Sequence, residues 1–521
     1  MKQKLRLLLL VMFESFALGS LGRAAGLPQT SRMNVLFVIV EDWSARTPGC
    51  YGNKICKTPN LDNFCETAVR FDSAYVQGIA CNPSRSSFLS GLRPLTTQVW
   101  NNNQVMGERL PPGTITLPEL MKQKGLTTAV IGKFFHQTEY ARKQLMAFDR
   151  IESYQPPPGW QGPGPIMTFP RPKRVREAAK SNFIMTEDES QPGQKASNAG
   201  DKNSGAGKNS GPQAPDRRAL SDRFGDSGLD QQDESDYHNA QIACALLKDF
   251  AMEKKQFFLS VHQSRPHTPY IAPKKFLDMY PPDEIPDPPA PRESLVRDPW
   301  PRRITGGNPD IFMQKPATPQ QTRGAIAANY ACVTMVDDHI GMILKALKEQ
   351  GLADNTIVFI MGDHGVHLGD HGFWSKYSMH EETQRTVLWV RVPGAPANGK
   401  VCREFVEFVD FVPTLCELLQ LDAPKNLEGI SFKPLLIDPA TPWKKAVFQV
   451  ASPDEQTVRT KRYRYIKMEK RPVPEALYDE EKDPWETKNL AGDPAYAKAQ
   501  AEMAELLKSG WKAGLPESMS K

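Results

Sequence analysis

The sequence predicts an α/β sandwich, a large and mostly parallel sheet flanked by helices, followed by a small C-terminal α+β domain. Two patterns carry this expectation. Through about residue 438, short β-branched apolar runs alternate with helical periodicity, as in buried parallel strands joined by crossover helices. Beyond that point the chain reads as short strands and one closing helix.

The first run, NVLFVIV at 34–40, is apolar throughout, as a strand covered on both faces must be, and it ends in Glu41-Asp42. TPNLDNFCETAVRF then reads as a helix with Pro59 near its start. TAVIGKFFH (128–136), QFFLSVHQSRPHTPY (256–270) and NTIVFIMGDHG (355–365) supply three more strands with polar ends. Helical patterns lie between them at 115–125, 236–253 and 323–349. Residues 186–235 are rich in Gly, Ser, Asn, Asp and Lys and bury too little apolar surface to fold alone, so they read as a flexible insertion. The proline-rich stretch 266–320 is expected to form an ordered loop over the active face. KAVFQVA, TVRTKRYRYIKM and EALYDEEKD read as antiparallel strands, and YAKAQAEMAELLKSGWKAG as the closing helix. The expected domains are therefore 33–438 and 439–521.

A chain of 521 residues exceeds one small core, and 40% hydrophobic with 24% charged residues fits a globular protein. The net charge of +5 is compatible with an anionic substrate without demanding one. No basic arm, zinc-finger spacing or RNA-binding aromatic motif is present, so nucleic acid is not an expected partner. Residues 1–25 join a basic start (Lys2, Lys4, Arg6) to an apolar run and to Ala24-Ala25, the pattern of a secretory signal, although Glu14 interrupts the run. The expected location is periplasmic or secreted. No other stretch is long and apolar enough for stable membrane insertion. The eight cysteines form neither a dense disulfide framework nor a metal knuckle. Cys332 and Cys416 fall in apolar helical patterns. Cys50, Cys56 and Cys65 are close enough in sequence for one pair, which spacing alone does not assign.

Cys81 has different company. IACNPSRSSFLSGLRP places it with Pro83, Ser84 and Arg85 at the start of a helical stretch. A helix N-terminus and an arginine both stabilise negative charge beside a reactive atom, which a buried structural thiol does not need. The other polar groups gather after strand C-termini, the edge where open α/β sheets bind ligands. Glu41, Asp42, Asp363 and His364 would make a hard, oxygen-rich cation site. Taken singly, such an Asp is often only a helix cap. Arg85, Lys133, His136, His267 and Lys376 bring basic groups to the same edge. Cations around a divalent metal suit a tetrahedral oxyanion such as sulfate or phosphate. Each basic group alone could equally be a solvated charge, and RPHTPY could be only a rigid turn.

CNPSR followed by SSFLSGLRP resembles the Cys-x-Pro-Ser-Arg motif of type I sulfatases. Its companions occur in the family's order: NVLFVIVEDW, GKFFH, RPHTPY, MGDHGVHLGDHGFWSKYS, VEFVDFVPTLCELLQL and LYDEEKDPWETKNLA. The resemblance covers nearly all the chain outside the N-terminal signal and the 186–235 insertion. GKFFHQ, RPH and LGDHGFWSKYS look most like iduronate-2-sulfatase and its bacterial relatives. The resemblance implies an alkaline-phosphatase-like sandwich. It also implies that a maturation enzyme, recognising the motif's proline and arginine, oxidises Cys81 to Cα-formylglycine, whose hydrate supplies the nucleophilic oxygen. It further implies a calcium ion held by Glu41, Asp42, Asp363, His364 and the Cys81-derived diol. Arg85 and His136 would hold the diol, while Lys133, His267 and Lys376 would bind the sulfate and the leaving oxygen. The implied substrate is a sulfated carbohydrate, a uronate or hexose sulfate. One departure matters: the family's usual Asp-Asp is Glu41-Asp42 here. The longer side chain either still ligates calcium, which tolerates varied oxygen geometry, or shifts the metal's position or preference. Two other readings remain open, a phosphomonoester or phosphodiester hydrolase of the same superfamily and a non-catalytic sulfoglycan-binding relative.

Overall fold

The computed structural model describes residues 26–136, 142–152, 224–290, 317–471 and 473–519. The signal reading at 1–25 lies outside them, as do most of the 186–235 insertion and residues 291–316 of the proline-rich stretch.

Eight strands form the central sheet: β1 Asn34–Val40, β2 Val69–Phe71, β3 Thr127–Ile131, β4 Arg150–Glu152, β5 Phe257–Gln263, β6 Thr356–Gly362, β7 Leu388–Arg391 and β8 Val401–Cys402. Their order is β8-β2-β7-β6-β1-β5-β3-β4. The five strands from β6 to β4 are parallel, and β7 runs antiparallel to both β6 and β2. The sheet is thus mostly parallel, as the apolar runs predict.

Seven helices matter for the site and its support: α1 Pro59–Cys65, α2 Cys81–Ser90, α3 Leu117–Gln123, α4 Ser235–Glu253, α5 Pro319–Glu349, α6 Phe411–Leu419 and α7 Ala497–Ser509. Strand β1 shows why the run had to be apolar on both faces. Val35, Phe37 and Ile39 pack with Phe88, Leu120 and Phe411 from α2, α3 and α6. Leu36, Val38 and Val40 pack on the other face with Leu61, Leu246 and Val336 from α1, α4 and α5. Side chains alternate across a strand, so each layer takes every second residue. Cys416 is buried in the first of these layers, and Cys332 in a third cluster with Tyr270 and Phe276.

Four local expectations need correction. TPNLDNFCETAVRF is helical only over Pro59–Cys65, since Val69–Phe71 pairs in the sheet as β2. The flexible reading of 186–235 fails at its C-terminal end, where Phe224–Asp226 pairs in parallel with Tyr270–Ala272 and Gln231–Asp233 forms a 3-10 turn leading into α4. Phe224 also packs with the cluster of Tyr270 and Phe276, which gives this end of the stretch an apolar anchor. Helix α5 starts four residues before the periodic pattern does. There Thr318 and Gln321 form a capping box, each side chain bonding the other's backbone N–H, at 3.2 and 2.9 Å. Finally, TVRTKRYRYIKM is two strands. The Thr460 hydroxyl donates to the Tyr463 carbonyl and accepts from its N–H, closing a turn at Lys461-Arg462 with no Gly or Pro to announce it.

The C-terminal strands β9 Ala446–Ser452, β10 Glu455–Thr460, β11 Tyr463–Met468 and β12 Glu475–Asp479 form an antiparallel sheet in that order. Met503 and Leu507 of α7 cover it through Phe448, Val458, Tyr465 and Leu477. Among the described residues no helix is long and apolar enough to cross a membrane.

A buried ion cluster ties this sheet to the segments of Arg93 and Glu407 in the larger domain. The Glu407 carboxylate accepts from Arg93 Nη1 at 2.8 Å, Lys444 Nζ at 2.8 Å and the Phe448 N–H at 3.1 Å. Burial alone would raise its pKa, but Arg93 and Lys444 outweigh that and hold it at about 2, below the usual 4.5. A depressed folded-state pKa contributes stability that is complete above the unfolded value and lost as pH falls through the folded one. Stability should therefore fall between about pH 4.5 and about pH 2. Glu407→Gln should flatten that part of a denaturation-versus-pH series; an unchanged slope would remove Glu407 as its source.

Candidate active site

Because β6, β1, β5 and β3 are adjacent and parallel, their C-termini open on one edge. Glu41-Asp42 follows β1, Asp363-His364 follows β6, His267 follows β5, and Lys133 and His136 follow β3. Strand β3 stops at Ile131 because Gly132, at φ +70°, turns the chain out of the sheet.

Cys81 is the first residue of α2, preceded by an extended Ala80, so its side chain stands where the helix's free N–H groups concentrate positive charge. Four side chains converge there. Asp42, Cys81, Asp363 and His364 each offer a ligand atom, all within 4.8 Å of one another, and all four are buried. The Cys81 thiol lies 3.2 Å from His364 Nε2 and 3.9 Å from Asp42 Oδ1. His364 Nε2 is 3.1 Å from Asp42 Oδ1. Asp363 Oδ1 accepts the Asp42 N–H at 3.0 Å, joining the ends of β1 and β6. Burial pushes the Cys81 thiol well above its ordinary pKa, despite Lys376 beside it. A thiol held neutral is a poor nucleophile as it stands.

Positive groups surround this cluster. Lys376 Nζ donates to Asp42 Oδ1 and Oδ2 at 2.8 and 3.0 Å and to Cys81 Sγ at 3.3 Å. Burial would lower its pKa, but Asp42 and Cys81 hold it well above the ordinary lysine value. Arg85, one turn along α2, is fully buried. Its Nε donates to Asp363 Oδ2 at 3.0 Å, and its Nη1 donates to the Lys133 and Phe134 carbonyls at 2.7 and 3.0 Å. One guanidinium thus fixes the ends of β6 and β3 against the helix. Although burial works to raise Asp363's pKa, His364, Arg85, Lys133 and Lys376 keep it far below the usual carboxylate range. For Asp42, burial is likewise outweighed by His267, Lys376 and His364.

The two remaining histidines are neutral. Burial, then Lys133 and Lys376, holds His136 down at about 2. Burial lowers His267 to about 4, with Asp42 opposing. His267 Nδ1 sits 2.8 Å from the Thr268 carbonyl, which assigns its proton to that nitrogen. Nε2 then faces Asp42 Oδ2 at 3.7 Å.

Glu41 stands apart from the four-residue cluster. Its carboxylate accepts from Lys133 Nζ, lies 3.9 Å from Arg85 Nη2 and lies 3.6 Å from His262 Nε2. Burial pulls Lys133 down to about 7, with Asp363 opposing and Lys376 adding to the effect. Sequence reading missed His262. It is the penultimate residue of β5, and a polar side chain inside that apolar run was the available signal.

The comparisons with known proteins point to one family. The sulfatase family model matches residues 33–421, and that of the N-sulphoglucosamine sulphohydrolase C-terminal region matches residues 369–512. The chain is 28% identical over 452 residues to iduronate 2-sulfatase of Mus musculus, covering 80% of this chain and 74% of that protein. It is 26% identical over 515 residues to N-acetylglucosamine-6-O-sulfatase of Bacteroides thetaiotaomicron, covering 93% and 87%. Its fold matches that of a phosphonate monoester hydrolase from Silicibacter pomeroyi, with a TM-score of 0.69, 21% identity, and 94% and 97% of the two chains covered. The match over residues 33–421 places the chain in the sulfatase family, whose members hydrolyse sulfate esters.

Proposed function

We propose that the chain is an exported carbohydrate sulfatase acting on a uronate or hexose sulfate. In this reading a maturation enzyme converts Cys81 to Cα-formylglycine, and a calcium ion sits among Asp42, Asp363, His364 and the residue-81 side chain. The carrying observation is the convergence of Cys81 with those three groups at a helix N-terminus, ringed by Lys376, Arg85 and Lys133. The donor set fits a hard cation. It holds two buried carboxylates, and Asp42 now draws the Lys376 ammonium onto both its oxygens. When present, the ion would polarise the sulfate oxygens and the aldehyde hydrate would supply the attacking oxygen.

The chain's own groups bind and orient around that chemistry. Lys376 and Lys133 present two ammonium groups to the sulfate. Arg85 keeps Asp363 ionised and aimed, while Glu41 holds Lys133 in place rather than completing the four-residue cluster. His136, neutral among cations, serves as a hydrogen-bonding partner rather than a charge. Burial keeps His267 neutral in the free site even with Asp42 Oδ2 3.7 Å from Nε2, and a second anion there would tip that balance. A bound sulfate ester favours its protonation there, and the proton can then pass to the leaving oxygen. The mouse and Bacteroides thetaiotaomicron relatives, both named for sulfatase activity on sugars, support a sulfated glycan as substrate.

The test is a panel assay on protein co-expressed with a maturation enzyme. The tryptic peptide spanning Phe71 to Arg85 should show an aldehyde in place of the Cys81 thiol. That protein should release sulfate from uronate 2-sulfates or hexosamine 6-sulfates in preference to phosphate or phosphonate esters by roughly a hundredfold or more. A reversed preference would move the assignment to phosphoester chemistry. Tight binding of sulfated glycans with no turnover by the converted protein would make it a binding relative.

A further inference from the structure

Away from the active edge, a second pair of sulfur atoms meets. The 3-10 turn Gly49–Tyr51 docks on α1 through two hydrogen bonds. Gly49 N donates to Thr58 Oγ1 at 2.8 Å, and Cys50 N donates to Asp62 Oδ1 at 2.7 Å. Asp62 and Cys65 are three residues apart on α1 and share one helix face. The Cys50 backbone is therefore pinned one turn from Cys65, and the two side chains pack against the same apolar layer. Both rest against the apolar layer of α1, α4 and α5, and both are partly exposed free thiols. Cys56, between them in sequence, turns elsewhere: it is buried, and its Sγ lies 3.8 Å from the Tyr330 carbonyl.

We propose that Cys50 and Cys65 close a disulfide in the mature protein, stapling the segment after β1 to helix α1. The docking hydrogen bonds hold the partners together before any covalent bond forms, so closing the bond adds little ordering cost. Cys65 is the attacking group. Cys50 and then Arg70 beside it bring its pKa down to about 7 against the opposing effect of burial. The oxidant is a disulfide donor, either a small disulfide or a thiol oxidase. The Cys65 thiolate attacks one donor sulfur, a mixed disulfide forms, and the donor's S–S bond breaks. Cys50 then loses its proton, attacks the Cys65 sulfur and displaces the second donor thiolate. The two cysteines lose two electrons and two protons, and the donor becomes two thiols.

The chemistry can be tested in a glutathione redox buffer, with neither export nor sulfatase activity required. The full chain is equilibrated at an oxidising glutathione ratio, quenched with an alkylating agent and digested with trypsin. Residues 47–54, 55–57 and 58–70 form separate peptides, so Cys50, Cys56 and Cys65 are read independently. The linked pair of 47–54 with 58–70 should outweigh the alkylated pair roughly tenfold, with 55–57 fully alkylated. Cys50→Ser and Cys65→Ser should each abolish that linked pair. The oxidised wild type should melt about 2–5 °C above its own reduced form, a difference absent from the double Ser variant. Alkylation of both peptides at oxidising ratios, or linkage through Cys56, would overturn the pairing. The wild-type peptide map decides the matter even if a serine variant folds poorly.

Discussion

Cys81→Ala is expected to lower turnover by about 10⁴- to 10⁶-fold while leaving the protein folded. The size of the effect follows from what residue 81 is placed to do. In the proposed reading its side chain supplies the nucleophilic oxygen, whereas the Asp363 carboxylate pairs with Arg85 and the Asp42 carboxylate lies 3.1 Å from His364 Nε2. Removing the nucleophile of a preorganised site leaves only the residual contribution of binding and charge. The fold should tolerate the change. Cys81 begins α2 rather than filling a helix interior, and alanine keeps the backbone and Cβ. The lost sulfur contacts Lys376 and His364, which retain Asp42. The expected cost is therefore about 1 kcal/mol or less. Sulfate release and a urea midpoint on the same preparation check both halves. Residual turnover within a hundredfold of wild type would remove Cys81 from the nucleophile's position.

How much of this site could be read from sequence depended on where each residue sits. Asp42, Lys133, Asp363 and His364 follow parallel strands, and the rule that polar strand ends face one edge was enough to group them. Glu41 shows the limit of that rule. Its adjacency to Asp42 suggested one shared role, but Asp42 takes a left-handed backbone, φ 51°, which aims neighbouring side chains apart. Glu41 therefore meets Lys133 and His262 on the β3–β5 side. That separation is a property of backbone geometry, invisible in the dipeptide. The pairing of Cys50 with Cys65 was hidden for a related reason: three nearby cysteines allow several pairs, and only the docking of the 3-10 turn on α1 selects one. The C-terminal strands were legible from alternation, whereas the hairpin at Lys461-Arg462 was not, since side-chain hydrogen bonding replaced the usual turn residues.

The strongest stability effect is expected at a residue no motif marks. Arg464 on β11 is fully buried among three acidic side chains and hydrogen-bonds one of them, Glu381. It pairs with Glu381, lies 2.5 Å from Glu486 Oε1 and lies 3.3 Å from Glu480 Oε1. Glu486 in turn accepts from His380 Nδ1 and the Glu381 N–H, each at 2.9 Å. The loop that carries Lys376 is thus clamped to the C-terminal sheet five residues downstream of that lysine. Arg464→Met fits the volume but strands three buried acids around an apolar side chain. Breaking such a cluster from one side costs about 3–5 kcal/mol, because the charges left behind have lost both water and partner. The pH dependence separates this cause from simple loss of packing. Despite burial, Arg464 helps hold Glu381 and Glu486 below their ordinary pKa, so wild-type stability from them is complete above about pH 4.5 and declines below it. Without the guanidinium their folded-state pKa values rise, and protonation relieves the variant as pH falls. The gap between wild type and variant should be widest near neutral pH and narrow towards pH 4. Turnover should fall too, through kcat more than KM, because the clamp positions Lys376 rather than touching substrate. Urea midpoints at three pH values decide it: a gap that stays constant with pH, or one below about 1 kcal/mol at pH 7, would mean that the three carboxylates find other partners and that the loop holds its shape without Arg464.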